Sequence, residues 1–236
     1  MESLEKEYRA SGFKVGPINY TLQKGESLAL FGPNGAGKST LFQMITGNLD
    51  PTCGAVHLFG EKMATERFDL KKRVGYMPQH LGLPQWVTGE EILSYGAHLY
   101  ELPNEKKLVA ENLSYWDIDG FKHRPIGSCS HGMQKRVSLA LATIHTPELL
   151  ILDEPFSGLD VFHMKALDNL LLERNKKGLT TILCTHIAPY AARLCSSAAI
   201  LQKGKLEVLK DFKAADAENR VMLVESRFFP QKEDLC

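Results

Sequence analysis

The stretch Gly32-Pro33-Asn34-Gly35-Ala36-Gly37-Lys38-Ser39 constrains this chain more than any other. It fits G-x-x-x-x-G-K-S/T. An apolar strand, Ser27 to Phe31, precedes it, and Leu41, Phe42, Met44 and Ile45 follow at helical spacing. Glycines let the backbone wrap closely, so that successive N–H groups point inward as an anion nest. The helix N-terminus adds its partial positive charge. Lys38 is expected to hold the β- and γ-phosphates, and Ser39 to ligate Mg²⁺. The bland alternative is a glycine-rich turn that happens to end in lysine. At ordinary glycine usage such a match arises by chance on the order of once in a hundred chains. The motif predicts nucleotide binding and leaves the class of NTPase open.

A second element carries acids. Leu149-Leu150-Ile151-Leu152 is a continuous apolar strand that runs into Asp153-Glu154. Acids at the C-terminal end of a parallel strand sit at the sheet edge where ligands bind. Asp153 is expected to hold Mg²⁺ through water, and Glu154 to polarise the water that attacks the γ-phosphate. Alone, the pair could be a solvated loop before Pro155. Beside a phosphate loop that reading loses ground.

The rest of the chain alternates strands and helices. Strands are predicted over residues 18–22, at Ala55-Val56-His57-Leu58-Phe59, at Val74-Gly75-Tyr76-Met77, at Thr181-Ile182-Leu183-Cys184 and at Ala199-Ile200-Leu201. The last turns at Lys203-Gly204 into a hairpin with residues 206–209. Gly47 closes the helix after the phosphate loop. From Val87 to about Ser128 the pattern is helical. The expected fold is α/β: a P-loop NTPase with a mostly parallel sheet flanked by helices, an N-terminal antiparallel β portion and an inserted helical subdomain. As a domain plan, residues 1–236 form one nucleotide-binding domain. Its core is about 1–80 and 145–210, its helical subdomain about 85–144, and 211–236 are a short helix and tail.

Composition narrows the partners. The chain has 236 residues, with 28 Lys plus Arg against 28 Asp plus Glu. No basic stripe is visible, so nucleic acid is not expected as the main partner. No apolar run reaches the roughly 18–20 residues of a membrane-spanning helix, and the charged start lacks a signal region. The five cysteines show no Cys-x-x-Cys spacing, which fits a reduced, cytoplasmic setting and no structural zinc.

A third segment makes the reading specific. Cys129-Ser130-His131-Gly132-Met133-Gln134-Lys135-Arg136 precedes a helical run. With it, residues 8–210 resemble an ABC (ATP-binding cassette) ATPase, and the closest likeness is to the bacterial exporter (ABC-2-like) type. The family pattern here is Leu-Ser-Gly-Gly-Gln with an Arg nearby. Ser130, Gly132 and Arg136 match it, and Cys129, His131 and Met133 depart from it. Ser130 is a good N-cap, and the helix behind it presents free N–H groups. A side chain at His131 could crowd a phosphate, donate to it when protonated, or simply face solvent.

The resemblance implies further roles. Gln79 stands for the glutamine that senses Mg²⁺ and the γ-phosphate, and His186 for the switch histidine. The predicted catalytic set is therefore Glu154, His186 and Gln79, and the metal set Ser39, Gln79 and Asp153. Nucleotide contacts are expected from Gly32, Pro33, Asn34, Gly35, Ala36, Gly37, Lys38, Ser39 and Thr40. Across a dimer they are expected from Ser130, Gly132 and Asp160, the last in the loop Ser157-Gly158-Leu159-Asp160. Tyr8 is the first candidate to stack on adenine, and Phe13 the second.

The implied cofactors are ATP and Mg²⁺. The implied partners are a second ATPase subunit, identical or paralogous, and an integral membrane permease that holds the chain at the inner face of the cell membrane. Residues 81–88, with Trp86, are the expected coupling surface. Three alternatives stay open: a soluble ABC ATPase of DNA repair or translation, a P-loop kinase, and a non-hydrolytic cassette. The Ser130 segment and His186 oppose the second, and Glu154 opposes the third.

Overall fold

The computed structural model describes residues 1–228. The predicted tail over 229–236 lies outside them. In chain order the strands and helices are β1 Glu2–Tyr8, β2 Phe13–Ile18, β3 Ser27–Phe31, α1 Lys38–Ile45, β4 Cys53–Ala55, β5 His57–Leu58, β6 Glu61–Lys62, α2 Phe68–Lys71 and β7 Val74–Met77. Then come α3 Gly89–Leu99, α4 Glu105–Tyr115 and α5 His131–Thr143. β8 Leu149–Asp153, α6 Val161–Lys176, β9 Thr180–Cys184, α7 Ala188–Leu194, β10 Ser197–Gln202, β11 Lys205–Val208 and α8 Ala217–Phe228 complete the described chain.

Six strands form the central sheet in the order β11-β10-β3-β9-β8-β7. All pairs are parallel except the β10–β11 hairpin. The continuous apolar strands follow from this, because both faces are covered. Alternate residues divide between two cores: Ala29 and Phe31 join one with Leu150, Leu152 and Leu183, while Leu28 and Leu30 join the other with Leu149, Ile151 and Ile182. Helices α3, α5, α6, α7 and α8 cover the first face, and α1 with the antiparallel sheet β2-β1-β4 covers the second.

Helix starts are set by side-chain caps. Thr88 and Glu91 form a reciprocal capping box on α3, Ser130 caps α5 and Asp160 caps α6. Between the adjacent strands β7 and β8 the chain runs out through α3, α4 and α5, as the helical texture predicts.

Two strand predictions need correction. The second strand of the N-terminal hairpin, after β1, is Phe13–Ile18 rather than 18–22. Its register is set by β1, which pairs Tyr8 with Phe13 and Leu4 with Ile18. Beyond Ile18 the alternating pattern has no ladder; Tyr20 N–H donates to Met1 O at 3.2 Å and the Met1 ammonium donates to Tyr20 O at 2.9 Å. The predicted strand from Ala55 to Phe59 breaks at Val56, whose carbonyl accepts from Met63 N–H, and ends at Phe59-Gly60, both with positive φ.

Candidate functional site

The strand order decides what meets at the sheet edge. β3, β9, β8 and β7 are consecutive neighbours and all parallel, so their C-terminal ends point the same way. The phosphate loop leaves β3, Thr185-His186 leave β9, Asp153-Glu154 end β8, and Pro78-Gln79 leave β7. At the usual strand spacing these four ends span roughly 15 Å. Residues far apart in sequence are thereby placed along one edge.

The phosphate loop is held by backbone. Gly204 N–H donates to Ala36 O at 3.1 Å, and Gly204 O accepts from Gly16 N–H at 2.7 Å. Gly32 lies so close to β10 that a Cβ there would stand 2.4 Å from Leu201 O. Gly37 takes φ 105°, and a Cβ there would strike Val15 at 2.4 Å, so only glycine fits. Lys38 begins α1, and its ammonium donates to Gly32 O at 2.6 Å and Pro33 O at 3.0 Å. It therefore folds over the nest it borders. Ser39 is exposed beside it, and Thr40 Oγ1 lies 3.3 Å from Tyr8 Oη.

The loop borders a cleft of about 400 Å³, lined by Pro33, Asn34, Gly35 and Ala36 with Gly12, Phe13, Lys14 and Lys203. Phe13 lines this cleft and Tyr8 does not. Tyr8 instead packs behind Phe13, with ring centroids 6.4 Å apart. A larger cavity of about 730 Å³ lies near the opposite ends of the strands, by Lys24, Leu28, Glu148 and Thr180. None of the predicted site residues lines it.

Asp153 is buried, at 1% exposure, and burial raises its carboxyl pKa. The Cys184 thiol, the charge of Lys38 and the Gln79 N–H oppose that shift. The same contact, with burial, drives the Cys184 thiol pKa up. Asp153 Oδ1 has no hydrogen-bond partner among the described residues. The orphan oxygen of Asp153, the exposed Ser39 hydroxyl and the exposed Gln79 amide oxygen are hard-oxygen donors that suit Mg²⁺, which binds through few protein ligands and phosphates.

Glu154 sits at φ 51°, a left-handed conformation that costs a non-glycine residue roughly 1–3 kcal/mol. Neighbours hold it there. Its N–H donates to Cys184 O at 3.0 Å, and its carbonyl accepts from Lys135 Nζ at 2.7 Å. Its carboxylate Oε2 lies 2.9 Å from His186 Nδ1. The predicted base and the predicted switch histidine are thus in direct contact.

The predicted dimer-facing residues stand apart from this edge. Ser130 Oγ accepts from Met133 N–H at 3.3 Å and caps α5. His131 is exposed, and a Cβ on Gly158 would meet its ring at 3.3 Å. A Cβ on Gly132 would stand 3.0 Å from Gly158 O. Among the described residues no hydrogen bond or ion pair joins this segment to the phosphate loop. Asp160 uses Oδ1 twice on His163, accepting from its N–H at 3.0 Å and facing Nδ1 at 2.7 Å.

Sequence reasoning passed over two residues. Lys135 is buried at 2% exposure on the core face of α5, a position where the helical pattern calls for an apolar side chain. That mismatch was the available signal. His163 is the other. Its Nε2 lies 3.0 Å from Arg136 Nη1, and Arg136 also donates to Asp117 Oδ2 at 2.7 Å, so α5 and α6 are tied at their starts.

Comparison with known proteins gives the family. The ABC transporter family model matches residues 15–157. The chain is 35% identical over 209 residues to the ABC transporter ATP-binding protein YxlF of Bacillus subtilis, a match over 87% of this chain and 68% of that protein. It is 32% identical over 193 residues to the Nod factor export ATP-binding protein I of Burkholderia lata, over 81% of this chain and 64% of that one. It therefore spans about two thirds of the length of these relatives. A solved structure of the ATP binding subunit of an ABC transporter superposes with TM-score 0.82 at 29% identity, over 94% of this chain and 98% of that one. The chain belongs to the ABC transporter family, as an ATP-binding and ATP-hydrolysing subunit.

Proposed function

We propose that this chain is the motor of an exporter, working as a head-to-tail pair of nucleotide-binding subunits on a separate membrane permease. One observation carries the reading: Lys38, Asp153, Gln79, Glu154 and His186 gather at one sheet edge, while the Ser130 helix end, with free N–H groups, makes no hydrogen bond or ion pair to the phosphate loop among the described residues. A site split in this way is completed by a second copy or a paralogue.

ATP lies on the phosphate loop, its polyphosphate in the nest of Gly32, Pro33, Asn34, Gly35, Ala36 and Gly37. Lys38 leaves its loop carbonyls for the β- and γ-phosphates, and Thr40 supports the next turn. Phe13 is better placed than Tyr8 to stack on adenine, because it lines the cleft. Ser39, Asp153 and Gln79 would hold Mg²⁺, whose charge would offset that of the phosphates. Glu154 takes a proton from the attacking water. His186 moves from the carboxylate to the γ-phosphate, which frees Glu154 for that work. The partner's copies of Ser130 and Gly132 close the site, and Asp160 positions the crossing loop by capping α6.

The domain plan places this machinery in a core of about 1–80 and 145–210, with residues 85–144 as the lever. The lever surface is apolar: Trp86 is 82% exposed, Tyr95 70% and Leu99 53%. A permease helix fits there. No helix among the described residues is long and apolar enough to cross a membrane, so membrane attachment would come from that partner. The export direction rests on relatives such as the Nod factor export protein.

The test is co-purification. Membranes from cells that express the tagged chain should retain it, and Trp86→Asp should release it while ATP binding persists. Retention that depends on salt and nucleic acid instead would support a soluble motor of DNA repair or translation.

A further inference from the structure

We infer that Lys135 is a positioning residue, which aims the Glu154 carboxylate and links it rigidly to the Ser130 helix end of the same chain. The inference deepens the function proposed above and rests on Glu154 being the base.

The geometry is specific. Lys135 lies one turn into α5, on the side facing β8. Its ammonium meets three acceptors: Glu154 O at 2.7 Å, Ser157 O at 2.5 Å and Ser157 Oγ at 3.4 Å. An ammonium has three donors, so its capacity is used in full. All three acceptors belong to the turn that holds the proposed base and opens the 157–160 loop. Glu154 N–H is fixed from the other side by Cys184 O. The residue is therefore clamped at both ends of its own peptide frame, in a left-handed conformation that the chain would otherwise leave. Direction matters here. A carboxylate displaced by about 1 Å from its water can lose on the order of 100-fold in rate.

The charge has a second use. A buried cation without counter-charge is disfavoured, and burial does lower the Lys135 pKa. The nearby charges of Asp153 and Glu154 act in the opposite direction on the ammonium, without outweighing burial. Lys135 also follows Ser130 by little more than one helical turn, on a rigid element. A movement of the helix end that meets the partner's nucleotide is then transmitted to the Glu154 carbonyl. Arg136, the next residue, ties the same helix to Asp117 and His163, and it reaches neither acid of β8 through a hydrogen bond or ion pair among the described residues.

The test compares Lys135→Met, Lys135→Arg and Glu154→Gln in the full chain, with ATP affinity, kcat, KM and melting temperature measured on each. Lys135→Met should lower kcat by about 30- to 100-fold with ATP affinity and KM within about twofold. Lys135→Arg should recover part of that loss, because its donors can reach the same carbonyls. In the Glu154→Gln background Lys135→Met should add almost nothing, since no base remains to be aimed. Lys135→Met with unchanged kcat would overturn the inference. So would a parallel fall of affinity, kcat and melting temperature, which marks a merely structural lysine. If Lys135→Met does not fold, Lys135→Arg decides by the same split: a lowered kcat at constant affinity and melting temperature supports positioning, and an unchanged kcat with a lowered melting temperature rejects it. A Glu154→Gln protein that hydrolyses at the wild-type rate would instead remove the base itself, a failure distinct from that of Lys135.

Discussion

Asp153 and Glu154 stand at the end of β8 and Lys38 at the start of α1, and each is held by groups from a neighbouring strand or loop. Ser130, His131 and Gly132 stand at the start of α5, where Ser130 caps the first turn and His131 and Gly132 lie against Gly158. The first group is a finished half-site. The second is a surface awaiting an occupant. In the head-to-tail pair proposed above, substitutions at the sheet edge act on the site of the chain that carries them, and substitutions at Ser130 or Gly132 act on the partner's site.

The largest effect should come from the finished half. Glu154→Gln is expected to lower hydrolysis by roughly 1,000-fold, in the range for a lost general base, while nucleotide affinity stays within a few-fold. Steady-state phosphate release beside a fluorescent-nucleotide titration measures both. Loss of affinity in step with rate would mean that Glu154 organises the site rather than the water.

The division itself can be broken by mixing. Lys38→Ala and Ser130→Arg should each be nearly inactive alone. In an equimolar mixture, half of the dimers carry one intact composite site, so about a quarter of the wild-type rate should return. No recovery would show that the chain does not pair with itself head to tail.

A pH effect sharpens the comparison at the joint between the two regions. His145, just past α5, stacks on Tyr100 at 3.8 Å and faces Val74 O of β7 at 3.3 Å. Burial lowers its pKa from 6.5 to about 4. Above pH 6.5 both folded and unfolded chains leave the ring neutral, and its contribution is complete. Between about 6.5 and 4 only the unfolded chain takes up the proton, so stability falls as pH falls, by up to about 3 kcal/mol over that window. Melting temperatures from pH 8 to 5 should drop less steeply in His145→Phe than in the wild type. Equal slopes would clear His145 of the effect.

The smallest effect is expected at the outer half. His131→Gly restores the family residue at an exposed position whose ring lies by Gly158. Hydrolysis should change by less than about threefold, a surface-like effect. A larger change in the ATPase rate would place the imidazole on the partner's phosphate.

Much of this was legible in the sequence, and for a common reason. The phosphate loop, the β8 strand with its two acids and the β7 strand are local patterns, and each formed where the pattern lay. What was misplaced depends on partners. Residues 18–22 alternate like a strand, yet pairing with β1 ends at Ile18, so the ladder and not the alternation set the boundary. Tyr8 and Phe13 are both aromatic, and only their placement around Thr40 and the cleft separates them. Lys135 was hidden by habit, since a lysine on a helix is ordinarily read as solvated. Its three acceptors come from residues 19 and 22 positions further on.

The hairpin turn at Gly204 has a consequence for the speed of binding. Its peptide joins the phosphate loop to β2, and any side chain there would strike Lys14 O. The loop thus keeps its shape through backbone contacts to a turn that is distant in sequence. An arriving nucleotide meets a cradle already ordered, so the freedom lost on association is mainly its own. Damage at this turn would then show first as slower capture of nucleotide from solution, with the residence time of the bound molecule little altered.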